Sequence, residues 1–340
     1  MAGVDSKNPI IAGSGLLALD VIFGGPKEPV ALPGGTCANV LLTLGEMGHT
    51  TMPLACLGQD QPGILINEEF RRVGAVMEGI RHDPSINTPI ILQHWQSTAN
   101  HGEEHSFSFH SPETGKRFPS YQTISNDLVD EMAPRLAGSA FFFFDRVSPA
   151  ILNAAKLAKR GGAKIIFEPS SIGDPEMFQR AMEICHILKY SDRRLGEKMN
   201  SWMLSVSVPN VIIETKGRYG MMVILRGPYG VERIHLKALD APRFIDSCGS
   251  GDTVTATLIH LLLTWRDDSH RAILEYLKHG QEMAAVNCGF LGARGAFLSL
   301  GWSSLACNNP LYTNDLRKMI LNTNPFAGLE KGQPGHLFLS

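Results

Sequence analysis

Residues 246–253, Asp-Ser-Cys-Gly-Ser-Gly-Asp-Thr, run directly into residues 254–263, which are apolar except for two threonines and one histidine. The apolar stretch predicts a helix, and the small residues Gly249, Ser250 and Gly251 lie where it begins. Without bulky side chains, the backbone N–H groups there can come close to a ligand. The first turn of a helix has unpaired N–H groups and the positive end of the helix dipole, so this segment favours a bound anion.

Asp252 places a carboxylate at the same point. Its side chain can cap the predicted helix by accepting a hydrogen bond from a backbone N–H group. It can also take a proton from a hydroxyl group that attacks a phosphoryl group held by the glycines. These eight residues alone support both interpretations equally.

The same eight residues resemble the signature Asp-Thr-x-Gly-Ala-Gly-Asp of the ribokinase-like (PfkB) carbohydrate kinases, with Ser247 and Ser250 as replacements of similar size. The resemblance implies that Asp252 is the catalytic base. It also implies that Gly249, Ser250 and Gly251 form an anion hole for the γ-phosphate of ATP.

Residues 13–18, Gly-Ser-Gly-Leu-Leu-Ala, suggest a different family. They follow a predicted buried strand at 9–13 and match a dinucleotide-binding fingerprint. That fold requires a helix next and an acidic residue about 20 residues further on. Residues 19–23 look extended instead, and residues 33–39 contain no acid. The sequence therefore argues against a nicotinamide cofactor.

Residues 33–39, Pro-Gly-Gly-Thr-Cys-Ala-Asn, provide a second match to the kinase family, together with Asp20. The resemblance implies that Asp20 and Asn39 bind substrate hydroxyl groups and that Gly34 and Gly35 let the backbone close on a sugar ring. Carboxylate and amide groups are suitable partners for a polyol. Taken alone, the segment is equally a glycine turn followed by a polar helix position.

Further substrate contacts are expected from a turn and from the lid. Residues 58–60, Gly-Gln-Asp, follow a predicted strand, and the resemblance places Asp60 near the substrate. A nucleoside also presents a ribose, but its base needs an aromatic or apolar wall. Trp95, Phe107 and Phe109 are candidates for that wall. The residues therefore leave a sugar and a nucleoside open as substrates.

Strand and helix patterns alternate along most of the chain, which predicts an α/β fold with a doubly wound, mostly parallel sheet. Residues 89–95 and 105–110 instead alternate apolar and polar side chains, as in a sheet with one wet face. By the resemblance, the fold is a ribokinase-like three-layer domain, and these strands belong to a small β-sheet lid.

The predicted domain covers residues 1–300, with the lid formed from about 16–33 and 88–118. Residues 301–340 are dotted with glycine and proline and form a C-terminal extension with one short predicted helix. The extension can pack on the domain, mediate oligomer contacts or be loose.

Residues 215–220, Thr-Lys-Gly-Arg-Tyr-Gly, lie between two predicted strands and resemble the Thr-x-Gly-x-x-Gly turn of the family. The resemblance implies nucleotide contacts from this turn and from a residue near the end of a later helix: Thr215, Gly217, Arg218, Gly220 and Asn287. From the residues alone, the segment is also a plausible hairpin turn with an exposed arginine.

Glu168 ends a predicted strand, and the family often has an acidic residue near the phosphates and metal at this point. Glu168 is therefore the candidate Mg²⁺ ligand, with a solvated loop carboxylate as the alternative. The sequence departs from the family next: residues 191–194 read Ser-Asp-Arg-Arg, where the family has Asn-x-x-Glu. That departure puts metal binding in question, although Asp192 or Glu197 can substitute, and the stretch up to 209 is short for the usual helix.

Composition excludes several classes. The chain has 31 basic and 33 acidic residues, so no nucleic-acid partner is expected. Six cysteines without C-x-x-C spacing indicate reduced thiols in the cytoplasm. No signal peptide and no membrane span of about 20 apolar residues is visible. Four histidines have spacings that fit strands and a loop better than a metal site: His94, His101, His105 and His110.

The function predicted from these matches is ATP-dependent phosphorylation of a hydroxymethyl group on a sugar, with ATP and Mg²⁺ as cofactors. A monovalent cation and a homodimer through the lid are left open. One rival is a nucleoside kinase of the same fold. The other is a non-catalytic sugar or nucleotide sensor, supported by Ser191 and Arg194 at the positions of the family Asn and Glu.

Overall fold

Two β-sheets organise the part of the chain that the computed structural model describes, residues 9–25, 28–98, 102–203, 209–228, 230–306 and 314–339. The strands, in chain order, are β1 (Ile10–Ser14), β2 (Ala18–Phe23), β3 (Val30–Gly34), β4 (Thr51–Gly58), β5 (Ile80–Asp83), β6 (Ile90–Thr98), β7 (Gly102–Ser108), β8 (Ser139–Phe144), β9 (Lys164–Phe167), β10 (Ile187–Ser191), β11 (Val211–Thr215), β12 (Met221–Gly227), β13 (Gly230–Leu236) and β14 (Gln333–Pro334).

The α-helices are α1 (Thr36–Glu46), α2 (Gln61–Arg72), α3 (Asn126–Ala137), α4 (Pro149–Arg160), α5 (Pro175–Ile184), α6 (Asp192–Met203), α7 (Ser250–Trp265), α8 (His270–Asn287), α9 (Gly295–Leu300), α10 (Trp302–Ala306) and α11 (Asn314–Asn322). Within the described ranges, none of them is both long and apolar enough to cross a membrane.

The larger sheet has the strand order β13-β12-β11-β10-β9-β8-β1-β4-β5 in the described part of the chain. Its pairs are parallel from β11 through β5, and β12 and β13 extend it as an antiparallel hairpin. This arrangement confirms the predicted doubly wound, mostly parallel sheet.

The four consecutive phenylalanines of β8 show how both faces of this sheet are covered. Phe141 and Phe143 pack in one core with α1, α7 and α8, and Phe142 and Phe144 pack in another with α3, α4 and α5. Successive side chains of a strand point to opposite faces, so a continuous apolar run suits a strand buried on both sides. The structure therefore has the predicted three layers, and the fold is the ribokinase-like α/β fold.

The smaller sheet has the order β14-β3-β2-β6-β7 among the described residues. Four of its strands, β2, β3, β6 and β7, lie in the segments predicted for the lid. Strand β2 occupies the position where a dinucleotide-binding fold would have its first helix. We refer to this sheet as the lid.

Three elements differ from the prediction. Helix α6 has 12 residues in a segment that is short for the helix usual in the resembled family. The strand predicted at 184–190 begins only at Ile187, because residues up to Ile184 belong to α5. Asp174 caps α5 by accepting a hydrogen bond from the backbone N–H of Met177 (2.9 Å), and a proline follows the cap. This cap and proline are a standard helix start that the prediction overlooked.

The end of the C-terminal extension is part of the lid. Strand β14 pairs antiparallel with β3, and the N–H of Gly335 donates to the carbonyl of Pro29. Phe338 and Leu339 are buried against apolar side chains of β2, β3 and β6. The extension therefore packs on the domain, one of the three arrangements that the sequence left open.

Candidate active site

Helix α7 begins with a backbone cap. Gly249 is the N-cap residue in a left-handed conformation (φ 69°), and no side chain caps the helix. A Cβ atom on Gly249 would collide with the backbone of Ala293, so a glycine is required here. The N–H of Ser250 donates to the carbonyl of Ser247 (3.2 Å), and the next N–H groups of the first turn are suited to an anion.

Asp252 lies in this first turn, and its Oδ2 accepts a hydrogen bond from Nδ2 of Asn39 (2.8 Å). Because the carboxylate bonds a side chain of α1, it is not the cap of α7. Of the two interpretations of Asp252, the structure contradicts capping. It brings together two residues that the sequence assigned to different halves of the site.

Asn39 is 5% exposed, and its Oδ1 has no hydrogen-bond partner among the described residues. A buried carbonyl oxygen without a donor costs about 1–3 kcal/mol. A hydroxyl group of a bound molecule would satisfy it. Nδ2 of Asn39 is thus bonded to Asp252, and its Oδ1 is suited to accept a hydrogen bond from a polyol hydroxyl group.

Asp20 is buried on β2 and accepts a hydrogen bond from Nε2 of Gln93 on β6 (2.6 Å). A Cβ atom on Gly34 would overlap this carboxylate, and one on Gly35 (φ 89°) would meet the carbonyl oxygen of Leu16 at 2.5 Å. The glycine pair therefore makes room for Asp20 and for the turn into α1.

A pocket joins these groups. It is lined by Asp20, Asn39 and Arg294, together with apolar and backbone groups: Ile22, Leu32, Pro33, Leu291, Gly292, Ala293, Gly295 and Leu298. Arg294 is 3% exposed; it forms an ion pair with Glu69 (3.0 Å) and donates to the carbonyl of Pro33 (3.3 Å). The sequence offered no local signal for Arg294.

Acidic groups repel one another in this site. Burial, and then the charge of Asp252, raises the pKa of Asp20 to about 8, and Arg294 opposes the shift. Loss of hydration, and then the charge of Glu168, raises the pKa of half-buried Asp252 to about 7, while Asn39 and Lys189 oppose it. A carboxyl group with a pKa near 7 is well matched to proton transfer at neutral pH.

Asp145 follows β8 and was not predicted as a site residue. Its Oδ1 accepts from the N–H of Leu16 (2.9 Å) and its Oδ2 from Arg146 (2.6 Å). Burial raises its pKa to about 6, and Arg146 opposes the shift. The sequence does contain a signal for Asp145: it is an acid directly after a buried parallel strand, and ligands bind at the carboxyl ends of such strands.

Glu168 follows β9, and the structure places it close to Asp252. Its Oε1 forms a close ion pair with Nζ of Lys189 on β10, and its Oε2 accepts from the hydroxyl of Thr255 (2.7 Å). A buried lysine within an apolar strand needs such a partner. Lys189 was also missed, although a lysine between Leu188 and Tyr190 is the kind of signal that could have identified it.

Residues that could hold a metal are few. In the described ranges, no group of three or more His, Cys, Asp or Glu side chains is arranged to bind an ion. Both oxygens of Glu168, the predicted Mg²⁺ ligand, already have protein partners. His101 lies outside the described residues, and the side chains of His105 and Glu197 are outside them as well.

Residues 215–220 form a hairpin turn, which is one of their two interpretations, and their nucleotide contacts stay a prediction. Strands β11 and β12 are antiparallel, and Gly217 and Gly220 both have positive φ values. The hydroxyl of Thr215 donates to the carbonyl of Tyr190 (3.3 Å). Arg218 is exposed and stacks on Tyr219, with its guanidinium carbon 5.1 Å from the ring centre.

Two predicted contacts have structural partners instead. Asn287 is fully buried; its amide donates to the carbonyls of Cys248 (3.3 Å) and Ala293 (3.1 Å), and its Oδ1 accepts from the N–H of Ala296 (3.0 Å). It supports the loop before α7 and has no surface to offer to adenine.

Asp60 is the N-cap of α2 and accepts from the N–H of Gly63 (3.0 Å). It also accepts from the N–H of Thr88 (2.7 Å) and from its hydroxyl (2.6 Å). These bonds tie α2 to the start of β6, so the carboxylate of Asp60 has a structural task irrespective of any substrate.

Comparison with known proteins agrees with this architecture. The family model for pfkB family carbohydrate kinase matches residues 26–298. The chain is 21% identical over 255 residues to the probable fructokinase-6, chloroplastic, of Arabidopsis thaliana, and the match covers 68% of this chain and 62% of that protein, less than two thirds of its length. It is 22% identical over 301 residues to the probable fructokinase-4 of the same plant, with 81% and 87% covered.

Two solved structures show the same fold. One is the aminoimidazole riboside kinase of Salmonella enterica, complexed with aminoimidazole riboside and an ATP analogue (TM-score 0.65, 18% identity, 92% of this chain and 100% of that chain). The other is a putative ribokinase II of E. coli in complex with ATP and Mg²⁺ (TM-score 0.64, 16% identity, 84% and 94%).

The fold defined by these two sheets and their flanking helices is thus that of the ribokinase-like proteins. Because the family match extends over most of the chain, this chain belongs to the pfkB family of carbohydrate kinases.

Proposed function

We propose that this chain transfers the γ-phosphoryl group of ATP to a hydroxymethyl group of a sugar, with Asp252 as the general base. The observation that carries the proposal is the position of Asp252: it lies in the first turn of α7, with a pKa near 7, and is bonded to Asn39, which lines a pocket together with Asp20 and Arg294. A proton acceptor and a set of anion-binding N–H groups are the two components that the reaction requires.

The substrate would be held by the lid and α1. Asp20 would accept or donate a hydrogen bond to one hydroxyl group, and the unpaired Oδ1 of Asn39 would accept from another. Nδ2 of Asn39 holds the carboxylate of Asp252 next to the amide that would bind the substrate. Positioning of this kind reduces the barrier because the reacting groups need not be brought together from solution.

In the reaction, Oδ1 or Oδ2 of Asp252 would take the proton of the substrate hydroxyl as its oxygen attacks the γ-phosphorus in line. The N–H groups at Gly249, Ser250 and Gly251 would stabilise the charge on the transferred phosphoryl oxygens, and ADP would leave. Mg²⁺ supplies further charge neutralisation when bound with ATP. Since the described residues offer no cage, nucleotide oxygens and water would provide most of its ligands, as is usual for this ion.

A nucleoside substrate is the second candidate, supported by Phe107. This residue lies opposite Gln93 across the β6–β7 pair, so it shares the lid face that carries the Asp20 partner, and it is 48% exposed. An aromatic ring on that face could stack on a base. Trp95 is less available, because its Nε1 donates to the carbonyl of Ile245 (2.6 Å) and its ring packs on Phe326.

The test is ADP production by the purified protein with ATP and Mg²⁺ across ribose, fructose, other sugars and nucleosides. We expect a sugar to give the highest kcat/KM and Asp252→Asn to reduce kcat about 100-fold or more. A nucleoside preferred by tenfold or more would favour the second candidate. If the protein binds a sugar and ATP but produces no ADP with any acceptor, it would be a non-catalytic sensor. The monovalent cation, the cytoplasmic location and the homodimer through the lid stay predictions.

A further inference from the structure

The segment from β10 into α6 lies between the two loops expected to bind the nucleotide and brings a cation to each. Nζ of Lys189 is 3.3 Å from the position that a Cβ atom on Gly251 would occupy. Nη2 of Arg193 is 3.9 Å from the corresponding position on Gly217. Lys189 therefore adjoins the loop before α7, and Arg193 adjoins the turn between β11 and β12.

The two loops are themselves connected through this segment. The hydroxyl of Thr215 donates to the carbonyl of Tyr190, the residue next to Lys189. Strands β10 and β11 are parallel neighbours, so their carboxyl ends deliver Lys189, Arg193 and Thr215 to the same edge of the sheet. A phosphate chain that reaches from the turn to α7 would pass over this edge.

The acidic side chains of the site would repel a bound nucleotide unless positive charges lie next to its phosphates. Three acidic groups, Asp145, Glu168 and Asp252, are near enough to influence one another. The nucleotide adds the negative charges of its phosphates. The described ranges contain no cage for a metal that would offset them.

Lys189 is held in place rather than mobile. It is 2% exposed, and its ammonium group is paired with Glu168, which also accepts a hydrogen bond from Thr255 of α7. Only part of the three-donor ammonium is used by this pair. Arg193 is exposed, and a guanidinium group can bind two phosphate oxygens at once.

We propose that Lys189 and Arg193 bind the phosphate chain of the nucleotide, Lys189 at the α7 end and Arg193 at the hairpin end. The identity of the ligand rests on the proposed function. The family motifs did not assign phosphate binding to Lys189 or Arg193. Its consequence is that part of the affinity for ATP comes from side-chain charge and persists without Mg²⁺.

The test is calorimetric binding of ATP, ADP and AMP, first in EDTA and then in Mg²⁺. Arg193→Gln should weaken ATP binding in EDTA about tenfold or more, ADP less and AMP least, because the lost contact is to phosphate. The matched control is Arg180→Gln, which removes an exposed arginine paired with Glu176 on α5. It should leave all three affinities unchanged.

Lys189 is tested in the neutral double variant Glu168→Gln/Lys189→Met, because either single substitution would leave one member of the buried ion pair without its partner and could unfold the protein. Loss of the Glu168 charge alone would favour an anion, so the double variant should bind ATP about tenfold more weakly than the wild type only if Lys189 contacts the phosphates. Equal ATP affinity in that comparison, or in Arg193→Gln and the wild type, overturns the assignment of the residue concerned. A wild type that binds ATP but phosphorylates nothing would contradict the proposed function and leave this assignment standing.

Discussion

The amide of Asn39 in α1 donates a hydrogen bond to the carboxylate of Asp252 in α7 across 2.8 Å, although 213 residues separate them in the chain. This bond joins the part of the site suited to a sugar with the part suited to a phosphate. It also lowers the pKa of Asp252, against the burial and the charge of Glu168 that raise it.

Asp252→Asn should reduce kcat by about 100- to 10,000-fold, the range associated with loss of a general base. The substituted amide has nearly the same shape, so the affinities for the sugar and for ATP should change little. The measurement is steady-state ADP release, with binding followed separately by calorimetry. Asp130→Asn, at an exposed position on α3, is the control and should behave as the wild type. A kcat within threefold of the wild type would remove Asp252 from the mechanism.

The pH dependence of kcat/KM should report the ionisation of Asp252. The base must be deprotonated in the free enzyme, and its pKa is about 7, so kcat/KM should rise with pH through about 7 and then level off. Asn39→Ala removes the hydrogen bond that stabilises the carboxylate, so the rise should move to higher pH. KM for the sugar should also increase about 5- to 100-fold through loss of the hydroxyl contact. A profile that is identical in the variant would contradict the assigned coupling.

Stability without ligands should fall as the pH rises from about 4 to 8 and should level off above 8. The pKa of Asp20 is about 8 in the folded protein and 3.8 in an ordinary aspartate, so between these values the folded state holds a proton that the unfolded state has released. Each rise in pH within this window therefore favours the unfolded state, and above about 8 both states have lost the proton.

Asp20→Asn should therefore have a higher Tm than the wild type at pH 9, by a few degrees, with a smaller difference at pH 7. The measurement is thermal unfolding by circular dichroism at half-unit steps of pH. His49, which follows α1, and His260 of α7 have pKa values lowered by burial, so neither imidazole of the folded protein titrates between pH 7 and 9. A difference in Tm that stays constant with pH would show that Asp20 is ionised throughout.

Asn287→Ala should lower stability by about 3 kcal/mol, because three backbone groups around the loop before α7 lose their partner. ATP binding should weaken as the loop loosens. The preference for ATP over GTP should be unchanged, since Asn287 is fully buried and supports the loop from behind. Selective loss of ATP binding, with GTP unaffected, would instead restore the adenine contact that the motif predicted.

Phe338→Ala should destabilise the protein by about 3 kcal/mol, because the ring is 6% exposed in the apolar cluster on the lid. It should also raise KM for the sugar more than KM for ATP, since the lid carries Asp20. Leu337→Ala is the matched control: Leu337 is 61% exposed, and its truncation should cost less than 0.5 kcal/mol. Equal effects of the two substitutions would show that the extension does not support the lid.

Local residues were enough to predict much of the architecture. The four phenylalanines of β8 and the glycine-flanked start of α7 follow from side-chain size and apolar pattern alone, and the structure has both where they were expected. Helix α5 was missed although Asp174 and Pro175 mark its start, so that failure came from an overlooked signal. Helix α6 gave a weak signal for a different reason: few of its residues are apolar, and among its described side chains Leu195 and Met199 reach the core.

The sequence alone determined the glycine-rich start of α7, the polar groups at Asp20 and Asn39 and the alternation of strands and helices. Each of these features depends on neighbouring residues and on backbone geometry. Folding alone decided that Asp252 bonds Asn39, that Lys189 is paired with Glu168 and that the last strand completes the lid. These contacts join segments far apart in the chain, and their energies depend on burial and on opposing charges that exist only after the segments have packed together.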